Sequence, residues 1–446
     1  MTSLHELNTR PRHIQVAVVG GGQAGLSMSW HLKQASIQHQ VFERSRSFSE
    51  WRSARWDSFC LVTPNWQCRL PGFHYAGPDP HGFMLRQQIV DYLDAYIASF
   101  DPPLLEGVTV TRVEHGAGGG FLLHTSAGSW STEQIVLANG AYHNPVIPRT
   151  AERLPSGILQ LHSSNYRNPQ SLPEGPVLVV GSGQSGCQIA EDLHLAGREV
   201  HLCVGRAPRA PRVYRGREVT DWLTESGYYD IPYENHPQKA TVREKTNHYL
   251  TGRDGGREID LRQRALEGMR LYGSFKGIED SKLLFAPDLS TNLDEADRSY
   301  NGIRQLVDQY IARSGIETPQ EPPYVAPWKP QSDPRELDYA AAGIVCIVWA
   351  IGFAADYSWV DLPIFNGRGH AVHRRGVSPV AGAYFLGLPW QNTWGSGRFA
   401  DVGKDAEYLL GHIRQALTTG TPPVAHTLND NATALSAGAP AAATRR

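Results

Sequence analysis

The feature that most constrains this chain is a turn written twice: VAVVGGGQAG at residues 16–25 and VLVVGSGQSG at residues 177–186. In each, four apolar residues run into G-x-G-x-x-G, which reads as a buried strand, a tight turn and the start of a helix. Glycines suit that place because bare backbone lets a pyrophosphate reach the amide hydrogens of the helix N-terminus. With 44 glycines in 446 residues the spacing alone arises by chance roughly 0.4 times, so context carries the inference. Both copies lead into helical patterns, LSMSWHLKQA and CQIAEDLHLAG, and each helix gives way to another β-rich run, HQVFER and REVHLCVGR. The sequence predicts an α/β fold with two Rossmann-like dinucleotide-binding domains.

Length and charge exclude other classes. The chain has ample core for several units, and a net charge of −2 gives no pull toward nucleic acid or an anionic membrane. Cys60, Cys68, Cys187, Cys203 and Cys346 form no C-x-x-C pair, so neither a disulfide framework nor a metal site is expected. The leader MTSLHELNTRPRH has no apolar core of signal-peptide length, and no run approaches a membrane span. A soluble, cytoplasmic protein is the expectation, and a homo-oligomer is compatible with it.

Residues 1–12 and 421–446 read as flexible tails. Between them, helical spacing at Ile89, Leu93, Tyr96, Ile97 and Phe100, and again at Ile303, Leu306, Val307, Tyr310 and Ile311, alternates with strand-like runs. Two late apolar runs, GIVCIVWAIGF at 343–353 and GAYFLGLP at 382–389, must join a sheet. The expected organisation is a discontinuous first domain, 13–168 plus 336–420, with a second nucleotide domain at 173–335 inserted between. The mixed-charge segment at 230–270 has no assignment beyond shaping access.

The strand ends beyond the two turns distinguish the nucleotides. An acid about 20 residues past the glycines hydrogen-bonds the adenosine ribose, and Glu43, with Arg44 next to it, stands at the end of HQVFER. The second unit has Gly205 and Arg206 there, with Arg209 and Arg212 nearby. An arginine accommodates a 2′-phosphate, which favours NADPH over NADH. Two sites make sense together if one holds FAD and the other a diffusible NADPH that passes it a hydride.

Over roughly residues 13–418 the chain resembles the two-dinucleotide flavoproteins and, within them, the class B flavin-containing monooxygenases. IVLANGAYHNPVIP at 135–148 is similar to the family's ATG-and-proline linker, with Asn139 for the usual Thr, and VWAIGF at 348–353 to its second ATG-like segment, with Ile351 for Thr. The identifying motif F-x-G-x-x-x-H-x-x-x-[FY]-[KR] is matched at His162, Tyr166 and Arg167. Ser156 and Ile158 stand where Phe and Gly belong. Residues 55–73, with Thr63-Pro64, Cys68 and Leu70-Pro71, resemble the flavin-covering segment of bacterial relatives and of plant indole-pyruvate monooxygenases. The chain is most similar to a bacterial flavin-dependent oxidoreductase family encoded beside nitrilase genes.

The resemblance implies cofactor contacts at Gly20, Gly22, Gln23, Ala24, Gly25, Glu43 and Arg44, at Trp51, Trp56 and Thr63, and at Ala138 and Gly140. In the second unit it implies Gly181, Gly183, Gln184, Ser185, Gly186 and Arg206, with Ala350 and Gly352 in the second ATG-like segment. Val402 and Gly403 would open a helix facing the flavin. The implied reaction uses FAD, NADPH and O2: a C4a-hydroperoxyflavin delivers one oxygen to a nitrogen, sulfur or activated carbon of a small organic substrate.

Two residues are catalytic candidates. His162 is either a base or, since its motif lies at a domain junction, a positioning group. Asn65 either donates a hydrogen bond near the flavin edge or shapes a turn. Trp390 and Trp394, with Gln391 and Asn392, suit a substrate wall or ordinary packing. Three other readings stand beside the monooxygenase: an NADPH-dependent oxidase or reductase without oxygen insertion, a disulfide reductase using Cys60 and Cys68, and a non-catalytic redox sensor.

Overall fold

The computed structural model describes residues 11–238, 242–243 and 247–420. The tails expected at 1–12 and 421–446 lie outside these, apart from residues 11 and 12, and Arg12 opens the first strand.

Two sheets organise the chain. In the first, Arg12–Val19 lies between His39–Glu43 and Gly128–Leu137, all parallel, with Leu104–Glu106 at one edge. The far edge of Gly128–Leu137 is shared. Its start pairs antiparallel with Phe121–Thr125, which pairs in turn with Val110–His115, and its end pairs in parallel with Ala383–Phe385. Val16, Ala17 and Val18 are fully buried, as a central strand covered on both faces must be. Helices Gln23–Gln34, Arg86–Phe100 and Val402–Thr419 pack into one core cluster on this sheet.

The second sheet is wholly parallel, in the order Leu159–His162, Cys346–Trp349, Val177–Val180, Val200–Cys203, Arg270–Tyr272. Here the expected boundaries need correction. Leu159–His162 and Cys346–Trp349, which the 13–168 plus 336–420 scheme places in the first domain, both lie in the second sheet. Of the two late apolar runs only Ala383–Phe385 returns to the first sheet. The chain therefore crosses between sheets within 138–158 and back within 350–382. The crossing segments hold one another: Asn144–Pro145 pairs antiparallel with Phe353–Ala354. Beyond the second sheet lie an antiparallel trio, Phe275–Glu279, Lys282–Phe285 and Glu336–Asp338, and the long helix Leu289–Ser314.

Candidate functional site

The duplicated turns have the same geometry. Gly20 (φ +114°) and Gly181 (φ +105°) each leave a central strand in a conformation that side-chain-bearing residues rarely adopt. A Cβ on Gly20 would meet the Ala138 carbonyl oxygen at 2.5 Å, and one on Gly181 the Ala350 carbonyl oxygen at 2.6 Å. Ala138 and Ala350 belong to the two ATG-like segments, so each segment backs its own turn. A Cβ on Gly25 or Gly186 would overlap the carbonyl oxygen of Gly20 or Gly181 respectively, which brings each helix hard against its strand.

Both helices begin without a cap. Gly22 and Gly183 occupy the N-cap positions, neither helix has a side-chain cap, and neither has an acid in its first turn. A Cβ on Gly22 would meet nothing within 4 Å, so the approach to the first amide groups is open. Uncapped amide groups and the helix dipole fit a pyrophosphate at both turns, and the open backbone at Gly22 adds to the fit at the first. Ala24 and Gly25 are buried behind the first turn, and Ser185 is half-buried on the second.

The turns differ in what meets them. Glu43 folds back so that Oε2 accepts from the Gly21 amide at 2.7 Å and Oε1 from the Ser45 amide at 2.9 Å. In the second sheet Val180 pairs with Cys203 as Val19 pairs with Phe42, so the counterpart of Glu43 is the buried Val204. Ser182 takes over the local bonding, its Oγ accepting from the Gly205 amide at 2.9 Å. Arg206 is exposed just beyond, and Arg44 is exposed beside Glu43.

The expected basic cluster around Arg206 does not form. Arg209 is 2% exposed, paired with Glu258, Asp260 and Asp297, and sandwiched by the rings of Tyr300 and Tyr324 at 4.2 and 4.6 Å. Arg212 is buried against Glu218 at 2.7 Å and the carbonyls of Val62 and Thr251. Both have spent their charge on the fold.

His162 sits at the junction of the sheets. Its Nε2 lies 3.0 Å from the Gly352 carbonyl and its Nδ1 2.9 Å from Ser164 Oγ, with the Ser164 amide donating to Nδ1 as well. A carbonyl accepts only, so Nε2 carries the proton and Nδ1 accepts, the neutral tautomer. Burial lowers its pKa below the usual imidazole value and favours that form. Gly352 also receives the Val146 amide at 3.0 Å, so His162 braces the paired crossing segments, the geometry of a positioning group. Gly140 accepts from His143 at 2.9 Å in the outgoing crossing.

Asn65 is 3% exposed and its side chain is already engaged. Nδ2 donates to the Asp79 carbonyl at 2.9 Å and Oδ1 accepts from the Met84 amide at 2.7 Å, closing the loop between them. Thr63 is half-buried in the same segment. Trp51 reaches the first turn, its Nε1 donating to Gln23 Oε1 at 3.3 Å, while Gln23 Nε2 donates to the Gly397 carbonyl at 3.1 Å. Trp56 is packed in the core cluster of the second sheet and meets Phe59, which in turn meets Trp51. Gln184 bonds the Leu250 backbone through both its amide atoms. Val402 is fully buried, and Gly403 accepts from His31 while lying against Pro71.

Sequence reasoning missed the strap over the 389–399 loop. Tyr229 stacks on Trp394 with ring centroids 3.8 Å apart, the Tyr233 amide donates to the Asn392 carbonyl at 2.7 Å, and His236 meets Trp390 edge-on at 5.2 Å. The tyrosines at 228, 229 and 233 were the available signal. Gln391 is fully buried within its own loop, bonding the Leu388 amide and the Arg375 carbonyl, and it lines no wall. All five cysteines are free and buried; burial raises the Cys60 thiol and pushes Cys68 up to about 12, the reverse of what a redox-active pair needs. Among the described residues no helix is long and apolar enough to cross a membrane, and no group of three or more His, Cys, Asp or Glu residues is placed to hold a metal.

Two sheets, each carrying an uncapped glycine cradle at the end of a central parallel strand, are the architecture of a two-dinucleotide oxidoreductase, and residues 17–225 match the family model for pyridine nucleotide-disulphide oxidoreductases. Over 406 residues the chain is 32% identical to a CzcO-like oxidoreductase of Geobacillus kaustophilus (strain HTA426), covering 90% of this chain and 98% of the relative. The chain belongs to the CzcO-like oxidoreductase family. A flavin monooxygenase double mutant from Stenotrophomonas maltophilia shares the fold at 16% identity and a TM-score of 0.62, over 91% of this chain and 99% of that one. So does an ornithine N-hydroxylase from Kutzneria sp. 744, in complex with reduced FAD, NADP+ and L-ornithine, at 17% identity and a TM-score of 0.58, over 91% and 100%.

Proposed function

We propose that the chain is an FAD-dependent, NADPH-using monooxygenase that transfers one oxygen atom of O2 to a small organic substrate. The observation that carries this is the pair of matched cradles with unmatched neighbours: Glu43 beside the first turn suits an adenosine ribose, and exposed Arg206 beside the second suits a 2′-phosphate. In this assignment Gly20, Gly22 and Gly25 hold the FAD pyrophosphate, and Gly181, Gly183 and Gly186 that of NADPH. When bound, FAD supplies hydride acceptance and oxygen activation, chemistry that no side chain supplies.

The chain's own residues bind, orient and exclude water. His162 holds the Gly352 carbonyl and so fixes the crossing segments between the two cradles. Asn65 closes the loop that comes after Thr63. The stacked Tyr229–Trp394 pair and the Tyr233–Asn392 bond close the strap over the 389–399 loop, where bulk water would otherwise enter.

The test is a stoichiometry. Purified protein is expected to carry FAD and to oxidise NADPH in preference to NADH. With a panel of small amines, thioethers and keto acids, one member should stimulate NADPH use, gain one oxygen by mass, and suppress peroxide release. A colourless protein that refuses FAD overturns the proposal. Recovery of all consumed NADPH as peroxide with every class of substrate assigns an oxidase instead.

A further inference from the structure

Most deeply placed arginines here have carboxylates. Arg209 and Arg262 each contact two or more, Arg212 has Glu218, and Arg253 has Asp192. Arg55 and Arg398 are different. Neither has a carboxylate within ion-pairing distance among the described residues. Arg55 Nη1 bonds the Ala54 carbonyl, and Arg398 bonds the Trp394 carbonyl and Asn247 Oδ1, the latter at 2.7 Å. Each instead lies over aromatic rings: Arg55 at 5.4 Å from Trp51 and 5.6 Å from Phe59, Arg398 at 4.3 Å from Trp394.

The two arginines are linked through aromatic rings. Trp51, beneath Arg55, stacks on Phe399 at 5.3 Å, and Phe399 is next to Arg398 in the chain. Glu50 and then the Tyr142 hydroxyl, on the outgoing crossing segment, act electrostatically on Arg55, and Tyr142, Tyr229 and Asp401 on Arg398. Tyr142 is exposed and both arginines are half-buried, so a ligand can reach the guanidiniums from solvent. Burial lowers the pKa of both arginines, and the carboxylates that act on them, Glu50 on Arg55 and Asp401 on Arg398, do so without a direct ion pair. Such a charge is costly unless an anion completes it. Both pyrophosphate cradles and the exposed Arg206 already offer cationic or amide partners to the cofactor phosphates elsewhere.

We propose that Arg55 and Arg398 form the recognition site for the carboxylate of the substrate, whose apolar body lies against the exposed ring of Tyr142. The inference rests on the monooxygenase reading and narrows its substrate to carboxylic acids. Guanidiniums suit this role because their fork matches a carboxylate, while the ring faces beneath them keep their orientation without supplying a competing charge.

The experiment uses FAD-loaded protein and tracks the perturbation of the flavin absorbance on adding phenylacetate or hexanoate, each against its neutral amide. The expected result is tighter binding of the acids than of the amides by a factor of about ten or more. Arg398→Gln and Arg55→Gln should each remove that preference and Arg398→Lys should restore part of it, with FAD content and the Kd of NADP+ unchanged. Equal binding of acid and amide by the wild type overturns the proposal without any variant. Loss of FAD, or a weakened NADP+ Kd with the acid preference intact, assigns the arginines to cofactor phosphates and overturns it too. A wild-type protein that takes up no FAD indicts the monooxygenase reading itself, an outcome seen before any acid is added.

Discussion

The two glycine cradles are the same device with different neighbours. In both, a central strand delivers a positive-φ glycine against a carbonyl, Ala138 for the first and Ala350 for the second, and an uncapped helix comes next. The difference lies one strand over. Glu43 turns back to the first cradle, whereas its counterpart Val204 is a buried apolar residue and Ser182 does the bonding. On the proposed assignment the shared part serves what two dinucleotides have in common, a pyrophosphate, and the unshared part what distinguishes their adenosine ends.

The largest expected effect breaks what is shared. Gly25→Ala and Gly186→Ala each place a methyl group onto the carbonyl oxygen of the glycine that opens the turn, and backbone on both sides leaves no flexible side chain to yield. The helix must back away from its strand, at a cost on the order of 3 kcal/mol, or ~100-fold in cofactor affinity. Gly25→Ala protein should purify without flavin. Gly186→Ala protein should keep its flavin, yet show flavin reduction that no longer saturates with NADPH. If both variants lost flavin alone, the assignment of one nucleotide to each cradle would be wrong.

That pairing is legible from sequence because it is local: strand, turn and helix start lie within ten consecutive residues. Sheet membership is not. Cys346–Trp349 reads as a buried strand, but an apolar run carries no address, and this one pairs with Leu159–His162 and Val177–Val180 rather than with the first sheet. The charge around Arg206 misleads for a related reason. Arg209 and Arg212 look like a basic patch until Glu258, Asp260 and Asp297, far along the chain, fold onto Arg209. For Asn65 and His162 the sequence leaves two roles open each, because which partners reach their side chains, the Asp79 carbonyl and Met84 amide for one and the Gly352 carbonyl for the other, is settled by distant parts of the chain. The lack of a direct ion pair at Arg55 and Arg398 among the described residues is illegible, since it depends on how near distant carboxylates come.

A second prediction sharpens the unshared part. With Arg209 and Arg212 committed to ion pairs, Arg206 is the only one of the three left at the surface to meet a 2′-phosphate. A charge-assisted hydrogen bond is worth about 1.5–3 kcal/mol. Arg206→Ala should therefore raise KM for NADPH by roughly tenfold or more, leave KM for NADH within about twofold, and spare kcat. An equal rise for both coenzymes would mean that Arg206 supports the loop rather than reading the phosphate.

The smallest effect concerns how each cradle is held when empty. Ser182 Oγ accepts from the Gly205 amide at 2.9 Å, the bond that ties the second turn to the end of its neighbouring strand, as Glu43 ties the first through the Gly21 amide. Ser182 is almost wholly buried, so Ser182→Ala leaves the Gly205 amide without that partner, at a cost of about 1 kcal/mol. The loss should appear as a lower Tm and a severalfold weaker NADPH affinity, with FAD content untouched because the first cradle does not share the bond. Glu43→Gln keeps a carbonyl acceptor for the Gly21 amide but surrenders the charge, so it should weaken FAD binding by a similar factor and leave NADPH alone. Crossed effects, with Ser182→Ala releasing FAD or Glu43→Gln raising KM for NADPH, would show that the two cradles are not independent and that their likeness does not extend to separate tasks.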